Sequence, residues 1–133
     1  MKKTIFTILL FLFAISVSAQ SSYQKSVDEK AKKISAATTV NDYDKLFNEF
    51  SGLTRSADPY KYKAYYYAGL AMYKKAELSL SKNSGADERN TNGLAEKFVG
   101  GALSLKQDDK ESNDLLNLII EQKNKMGVNA KRN

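Results

Sequence analysis

The sequence predicts an all-α protein of about five helices, arranged as antiparallel hairpins. Three observations carry this prediction: apolar residues recur three and four positions apart, the breaks between these stretches are short and polar, and the 133 residues contain a single proline. At about 150 residues per domain, the chain has room for one domain. We therefore expect one helical unit, and each of its elements can be justified in chain order.

The first 19 residues have the composition of an export signal. Two lysines at 2–3 precede an apolar run at 5–15, and small residues at 17–19 stand where a signal peptidase reads the chain. The apolar run is shorter than the roughly 20 residues that span a bilayer. We therefore expect cleavage before Gln20 and no membrane insertion of the mature chain. Because the sequence has no cysteine for a lipid anchor, the expected location is the periplasm or the exterior.

Two helices are predicted in the first half of the remaining chain. The first runs from about Ser22 to Ala37. Its apolar stripe consists of Tyr23, Val27, Ala31 and Ile34. The second opens at Thr39, which forms a predicted capping box with Asp42. Its apolar face consists of Tyr43, Leu46, Phe47 and Phe50. We expect Gly52 to end this helix as a C-terminal glycine.

The third predicted helix is the longest and the most aromatic. Asp58 and Pro59 mark its start, because an aspartate can accept hydrogen bonds from free N–H groups and a proline at the first helical position has none to leave unpaired. The apolar and aromatic pattern continues to about Leu80 or Lys82. We therefore expect a helix of some six turns over this stretch.

A polar stretch separates the third helix from the fourth. Residues 82–93 predict a loop or a frayed helix start, with Ser84 and Asp87 as one candidate cap. The fourth helix is expected at about 92–105. Its apolar residues are Leu94, Ala95, Phe98, Val99 and Ala102. Each glycine of the pair at 100–101 weakens a helix by about 1 kcal/mol relative to alanine, so we expect a neighbouring helix to approach closely there.

The fifth predicted helix opens near Asp108 or Asp109. An apolar block at 115–120 follows, which is broader than one helical stripe. From Gln122 the sequence is rich in lysine and asparagine, so we expect a partly frayed tail. The domain prediction is therefore a cleaved signal at 1–19 and one helical domain at 20–133.

The third and fourth helices resemble the tetratricopeptide repeat. Tyr65 stands at the repeat's large position, Ala68 and Gly69 at its small pair, and Met72 where tyrosine is usual. The resemblance continues in the fourth helix. There, Ala95, Val99 and Ala102 reproduce the small, large, small spacing of the repeat's second helix. It implies a superhelical stack of helical hairpins in which Gly69 allows close packing.

The chain departs from the repeat in the spacing of its two helices. Gly69 and Ala95 lie 26 residues apart, where the family keeps about a dozen, so about 14 residues are inserted. Taken whole, the chain is similar to small exported repeat-like proteins of Bacteroidota. That resemblance implies an interaction module and names no specific activity.

Tyrosine is concentrated in the third helix and suggests a binding surface. Six of the eight tyrosines lie between residues 60 and 73. A tyrosine ring gives a large contact area with few rotatable bonds, so it suits both a core and a recognition groove. Both interpretations stay open at this point. The candidate partner-binding residues are Tyr60, Tyr62, Tyr66 and Tyr73.

Composition excludes much of the known catalytic chemistry. The chain has no cysteine, histidine or tryptophan, which removes disulfides, thiolate nucleophiles, His-based acid and base catalysis and His- or Cys-ligated metal sites. The net charge is +6, and it falls to +4 without the two lysines of residues 1–19. Acidic residues interrupt the basic ones, so we expect no nucleic-acid partner. The expectation is a non-enzymatic module that binds a peptide or an envelope protein.

Other readings remain beside this one. Residues 88–93 approach a calcium loop, but Val99 stands where a bidentate glutamate is needed, so no metal or cofactor is expected. Two carboxylates would suffice for a small hydrolase or a glycan-binding protein of the envelope. The acidic residues, however, lie mainly near helix starts, where the helix dipole favours them. The apolar block at 115–120 suggests a structural homo-oligomer as a further alternative.

Overall fold

The computed structural model describes residues 21–82 and 87–132. Within this part the chain forms five helices and no strand, which confirms the all-α prediction. The helices are α1 (Ser21–Ala36), α2 (Val40–Leu53), α3 (Lys61–Ser81), α4 (Glu88–Leu105) and α5 (Lys110–Arg132). The predicted signal at 1–19 lies outside the described residues. None of the described helices has the length and apolar character needed to cross a bilayer.

Helix α2 begins as predicted and ends differently. Thr39 caps it through the expected reciprocal pair of bonds with Asp42, so the predicted capping box is confirmed. The prediction that Gly52 ends the helix is wrong, because Gly52 lies inside α2. The C-cap is Thr54, whose backbone N–H contacts the carbonyls of the last turn and whose hydroxyl donates to the carbonyl of Ser51 at 2.6 Å.

Helix α3 starts two residues later than Pro59. Asp58 accepts a hydrogen bond from the backbone N–H of Tyr60 at 2.8 Å, and its carbonyl accepts from Lys61 at 3.0 Å. These bonds close a tight turn ahead of the helix. Asp58 therefore organises the turn before α3 but does not cap the helix as predicted, because the N-cap is Tyr60 and no side chain makes a cap bond there. Pro59 lies in this turn rather than at the first helical position.

Helix α4 starts four residues earlier than predicted. Of the two residues of the predicted cap, Ser84 lies outside the described residues, and Asp87 stands at the cap position without a side-chain cap bond. Thr91 instead donates both its N–H and its hydroxyl to the carbonyl of Asp87, at 3.0 and 2.9 Å. Residues 88–93 are therefore helical, which is incompatible with a calcium loop.

A buried polar network connects the first turns of α4 to its neighbours. Asn92 is 2% exposed and donates to the carbonyl of Ile119 and to the side chain of Gln122, both at 2.9 Å. Gln122 in turn donates to the carbonyl of Tyr73 at 3.1 Å. Two side chains thus connect α3, α4 and α5, and these contacts between distant residues are absent from the local sequence pattern.

Helix α5 opens at Asp109 as predicted and extends further than predicted. The Asp109 carboxylate accepts from the N–H and the hydroxyl of Ser112. The helix does not fray at Gln122 and continues to Arg132. Its continuation is explained by burial, since Gln122 and Met126 are each 5% exposed and extend the inward stripe of the helix.

Neighbouring helices pack as antiparallel hairpins around α3. On one side of α3, the Phe50 and Tyr67 rings lie 5.3 Å apart and Asp44 pairs with Lys75 at 2.8 Å, so α2 and α3 run in opposite directions. Helix α5 runs parallel to α3, because Lys63 pairs with Glu111 at its start and Tyr73 bonds Gln122 further along. The predicted hairpin arrangement is therefore observed.

The buried face of α3 consists almost entirely of small residues. Its buried residues are Ala64, Ala68, Gly69, Ala71, Met72 and Ala76. A β-carbon on Gly69 would lie 2.5 Å from Cγ2 of Val99 and 3.1 Å from the backbone oxygen of Ala95. On α4, a β-carbon on Gly101 would lie 2.6 Å from the Tyr65 ring, whereas one on Gly100 would meet nothing. The close approach is confirmed at Gly69 and Gly101 and is wrong for Gly100.

Substitution of Gly69 by alanine tests this packing. Val99 is fully buried and β-branched, so it has little freedom to turn away from a new methyl group. We expect Gly69→Ala to lower the free energy of unfolding by about 1–3 kcal/mol, as overpacking does. Gly100→Ala is the matched control and should raise it by up to about 1 kcal/mol, since alanine favours a helix over glycine. Urea denaturation measures both, and equal stabilisation by the two substitutions would contradict the packing.

Candidate functional site

The six tyrosines clustered in and before α3 are all partly buried. None of them is fully buried or fully exposed; they are Tyr60, Tyr62, Tyr65, Tyr66, Tyr67 and Tyr73. None of the six therefore belongs wholly to the core or wholly to an open groove. Each ring packs on the protein with part of its surface and leaves another part open.

Two of these rings form the wall of a cleft at the start of α3. The cleft has a volume of about 240 Å³ and is lined by Gln24, Asp58, Pro59, Tyr60 and Tyr62. The ring centroids of Tyr60 and Tyr62 lie 5.8 Å apart with an interplanar angle of 75°, an edge-to-face contact. Residues from α1, the turn before α3 and the first turn of α3 thus meet at this cleft.

Tyr60 is fixed in place from two sides. Its hydroxyl donates to Oδ1 of Asp28 on α1 at 2.9 Å, and its backbone N–H donates to Oδ1 of Asp58. Burial and the bond to the Asp28 carboxylate raise the pKa of the Tyr60 hydroxyl well above its usual value. The hydroxyl therefore keeps its proton and its bond to Asp28 throughout the neutral range.

Tyr62 and Tyr66 are bound by lysine side chains. The Lys63 ammonium lies 5.8 Å from the Tyr62 ring centroid and 5.3 Å from that of Tyr66, and the Lys106 ammonium lies 4.9 Å from Tyr62. These distances allow cation–π attraction, worth about 0.5–2 kcal/mol. Lys63 also pairs with Glu111 on α5. The lysines connect the tyrosines of α3 to the end of α4 and the start of α5.

Tyr66 and Tyr67 extend the aromatic surface along α3. Their ring centroids lie 5.1 Å apart, and burial raises the pKa of both hydroxyls. The charges of Glu111 on α5 and Asp28 on α1 contribute to the raised pKa of the Tyr67 hydroxyl. The contacts of Tyr60 with Asp28 and of Lys63 with Glu111 place the start of α3 between α1 and α5.

Tyr73 lies apart from the other three predicted binding residues. It follows Tyr62 by 11 residues, which is roughly 16 Å along a helix. Its ring packs beside a buried cluster that includes Met72, Val99 and Ile119, and burial together with the Glu77 charge raises the pKa of its hydroxyl. The structure thus brings Tyr60 and Tyr62 into one cleft, connects Tyr66 to them through Lys63, and leaves Tyr73 outside.

The charged residues around these tyrosines were not predicted as site residues. Lys63 is three residues before Tyr66 on the same helix, so helical spacing could have identified it. Asp28 and Lys106 come from other helices, and no local pattern in the sequence indicates that they reach the tyrosines. Tertiary packing supplies these partners.

Asp109 adds a buried carboxylate beside this surface. Burial by itself would raise its pKa, but the two bonds from Ser112 and the charges of Lys63 and Lys106 outweigh it, so the pKa lies below its usual value. The residue is 7% exposed. Asp109 therefore stays ionised at neutral pH and holds the start of α5 next to both lysines.

A second cleft lies between α1 and α2 and has a different character. It measures about 300 Å³, and its lining includes Lys33, Lys45, Asp42 and Glu49. Two cations and two carboxylates balance each other there, and Asp42 is already engaged in the cap of α2. This cleft has no aromatic wall and no excess of either charge.

The described residues contain no group of three or more Asp, Glu, His or Cys side chains placed to hold a metal ion. The chain matches no protein-family model, no curated protein and no solved structure.

Removing the Asp109 carboxylate tests its role at the start of α5. We expect Asp109→Ala to lower the free energy of unfolding at pH 7 by about 1 kcal/mol, the usual effect of losing an N-cap. Asp108→Ala is the matched control, because Asp108 is exposed and lies outside the cap.

The effect of Asp109→Ala should depend on pH in a defined direction. A carboxylate with a lowered folded pKa stabilises above its unfolded pKa, near 4, and this stabilisation is lost as the pH falls through the folded value. The difference from wild type should therefore shrink below about pH 4 in thermal unfolding measured at several pH values. A difference that grows as the pH falls would contradict the lowered pKa.

Proposed function

We propose that this chain is an exported, non-enzymatic interaction module that binds an extended segment of a peptide or envelope protein at the start of α3. The observation that carries the proposal is the cleft between Tyr60 and Tyr62, two half-buried rings with open surface. Tyrosines of this kind supply contact area at a small entropic cost. Export rests on the signal-like composition of residues 1–19.

The fixed position of the tyrosines supports a binding role. Tyr60 is held by Asp28 and by the turn at Asp58, while Tyr62 contacts Lys63 and Lys106. Side chains that are ordered before a ligand arrives lose less conformational entropy when it binds. The cleft is therefore organised for contact without the ligand.

The arrangement of α3, α4 and α5 supports a repeat-like stack. Gly69 contacts Ala95 and Val99 across the insertion, as the resemblance to the tetratricopeptide repeat requires. Helices α3 and α5 run parallel, as the first helices of successive repeats do. In such a stack the face of α3 between α1 and α5 is the inner surface, and Tyr62 and Tyr66 contact Lys63 there.

A small hydrolase is supported less well than a binding module. Acid and base chemistry on a glycan needs two carboxylates that flank the bond. Of the described residues that line the cleft, only Asp58 carries a carboxylate, and Asp28 is engaged with the Tyr60 hydroxyl. We therefore keep the glycan hydrolase as an alternative without a structural argument for it.

A structural homo-oligomer has one observation in its favour. The apolar side chains of Leu105, Leu118, Ile120 and Val128 are between 42% and 52% exposed. Three of the four lie on α5. Light scattering of the mature chain tests this second candidate, since a strict monomer at high concentration would remove it.

Peptide selection tests the proposed function directly. A random peptide library is selected on the wild-type protein, and the enriched sequences are measured against Tyr62→Ala and Tyr73→Ala. We expect Tyr62→Ala to weaken binding at least about tenfold, as loss of an aromatic anchor does, because Tyr62 lines the cleft. Tyr73→Ala, which changes the same residue type outside the cleft, should leave the affinity within about twofold.

Two controls complete this test. Circular dichroism and the unfolding midpoint of each variant show whether it remains folded. The proposal fails if no sequence is enriched on the wild-type protein, or if folded Tyr62→Ala binds the enriched peptides as well as the wild type does.

A further inference from the structure

We propose, on the basis of the proposed function, that the cleft at the start of α3 accepts the basic side chain of an arginine in the bound segment. The cleft is lined by two tyrosine rings, a proline, a glutamine amide and one carboxylate. A planar guanidinium can lie on aromatic rings and donate hydrogen bonds to a carboxylate at the same time.

The size of the cleft limits what it can hold. Pockets for drug-sized ligands measure about 300–1,000 Å³, and this one measures about 240 Å³. It is therefore suited to one long side chain of a segment that runs across the surface. A whole cofactor or an oligosaccharide exceeds it.

The charge of the cleft selects a cation. Among the described residues that line it, Asp58 is the one charged residue. Asp28, which accepts the Tyr60 hydroxyl, adds a second negative charge beside the cleft. The two lysines at Tyr62 are not among the lining residues, and Lys63 pairs with Glu111. An acidic side chain in the cleft would be repelled by Asp58.

Hydrogen-bonding capacity remains at the two groups that a guanidinium would use. Asp58 accepts the Tyr60 N–H through Oδ1, and a carboxylate has about four acceptor sites. The Tyr60 hydroxyl donates a hydrogen bond to Asp28, and its oxygen can still accept a hydrogen bond from another group. Five donors in a fixed fork distinguish arginine from lysine at such a site.

The protein already shows the same chemistry next to the cleft. The ring of Tyr62 is contacted by the ammonium groups of Lys63 and Lys106, at 5.8 and 4.9 Å from its centroid. The tyrosines of this surface therefore attract cations from within the chain. The ring of Tyr60 forms the adjoining wall, where a cation from a partner would make the same kind of contact.

Three matched peptides test the inference. They are capped hexapeptides of glycine and serine that differ in one central residue, which is arginine, glutamine or glutamate. Chemical-shift titration of the Tyr60 and Tyr62 ring resonances measures binding, including weak binding. We expect the arginine peptide to bind at least about tenfold more tightly than the glutamine peptide, and the glutamate peptide to bind most weakly. The preference should decrease as salt rises from about 0.05 to 0.5 M, because salt screens exposed charges.

Asp58→Asn is the decisive variant. Asparagine keeps an oxygen that can accept the Tyr60 N–H, so the turn before α3 is preserved while the charge is removed. The preference for arginine over glutamine should fall to about twofold or less. Asp114→Asn is the matched control, because Asp114 is exposed on α5 and pairs with Lys110, and it should leave the preference unchanged.

The outcomes separate this inference from the proposed function. Binding of all three peptides with equal affinity, or an arginine preference that persists in folded Asp58→Asn, overturns the inference and leaves a peptide-binding cleft in place. If library peptides bind at Tyr62 but carry no basic residue, the inference also fails and the proposed function stands. If no peptide of any charge shifts Tyr60 or Tyr62, both fail.

Discussion

The close approach of α3 to α4 at Gly69 is the constraint on which the structure depends. At this point Val99 and the backbone of α4 occupy the space that a side chain would fill. The other buried positions of α3 are mostly alanines, so neighbouring helices contact its backbone closely along its length. A helix of this kind can be surrounded on several sides in a chain of only 133 residues.

The same constraint explains where the tyrosines lie. Because small residues occupy the buried face of α3, its large aromatic side chains are placed at the edges of the contacts and on the face between α1 and α5. Tyr65 covers Gly101, Tyr67 contacts Phe50, and Tyr62 lies at the cleft. Every one of these rings is therefore partly buried, and packing and binding use different parts of the same surface.

Features with a local cause could be predicted from the sequence, and features with a distant cause could not. The caps at Thr39 and Asp109 depend on residues three positions apart; the first was predicted as a capping box, and the second lies at one of the two residues predicted to open the last helix. The close packing at Gly69 was predicted from the resemblance of this helix to the tetratricopeptide repeat. The buried network of Asn92 was missed, since its partners Ile119 and Gln122 lie almost 30 residues away. Gly52 was misassigned because a helix tolerates an exposed glycine when its neighbours Phe50 and Leu53 pack inward.

The features of the candidate site also divide into those with a local cause and those with a distant cause. The tyrosines could be identified from their concentration in one helix, and the turn at Asp58 from its position before a proline. The partners that orient the rings, above all Asp28 and Lys106, come from other helices and required the structure. Tyr73 lies outside the cleft because it follows Tyr62 by 11 residues, roughly 16 Å along the helix, although helical periodicity places the two on the same face.

The most direct test of the central constraint is a double-mutant cycle between Gly69→Ala and Val99→Ala, measured by urea denaturation. If the two side chains compete for the same space, Gly69→Ala should lose most of its destabilising effect in the Val99→Ala background, with a coupling energy of about 1–3 kcal/mol. Additive effects of the two substitutions would contradict the account, because they would show that Gly69 and Val99 do not share the contact between α3 and α4.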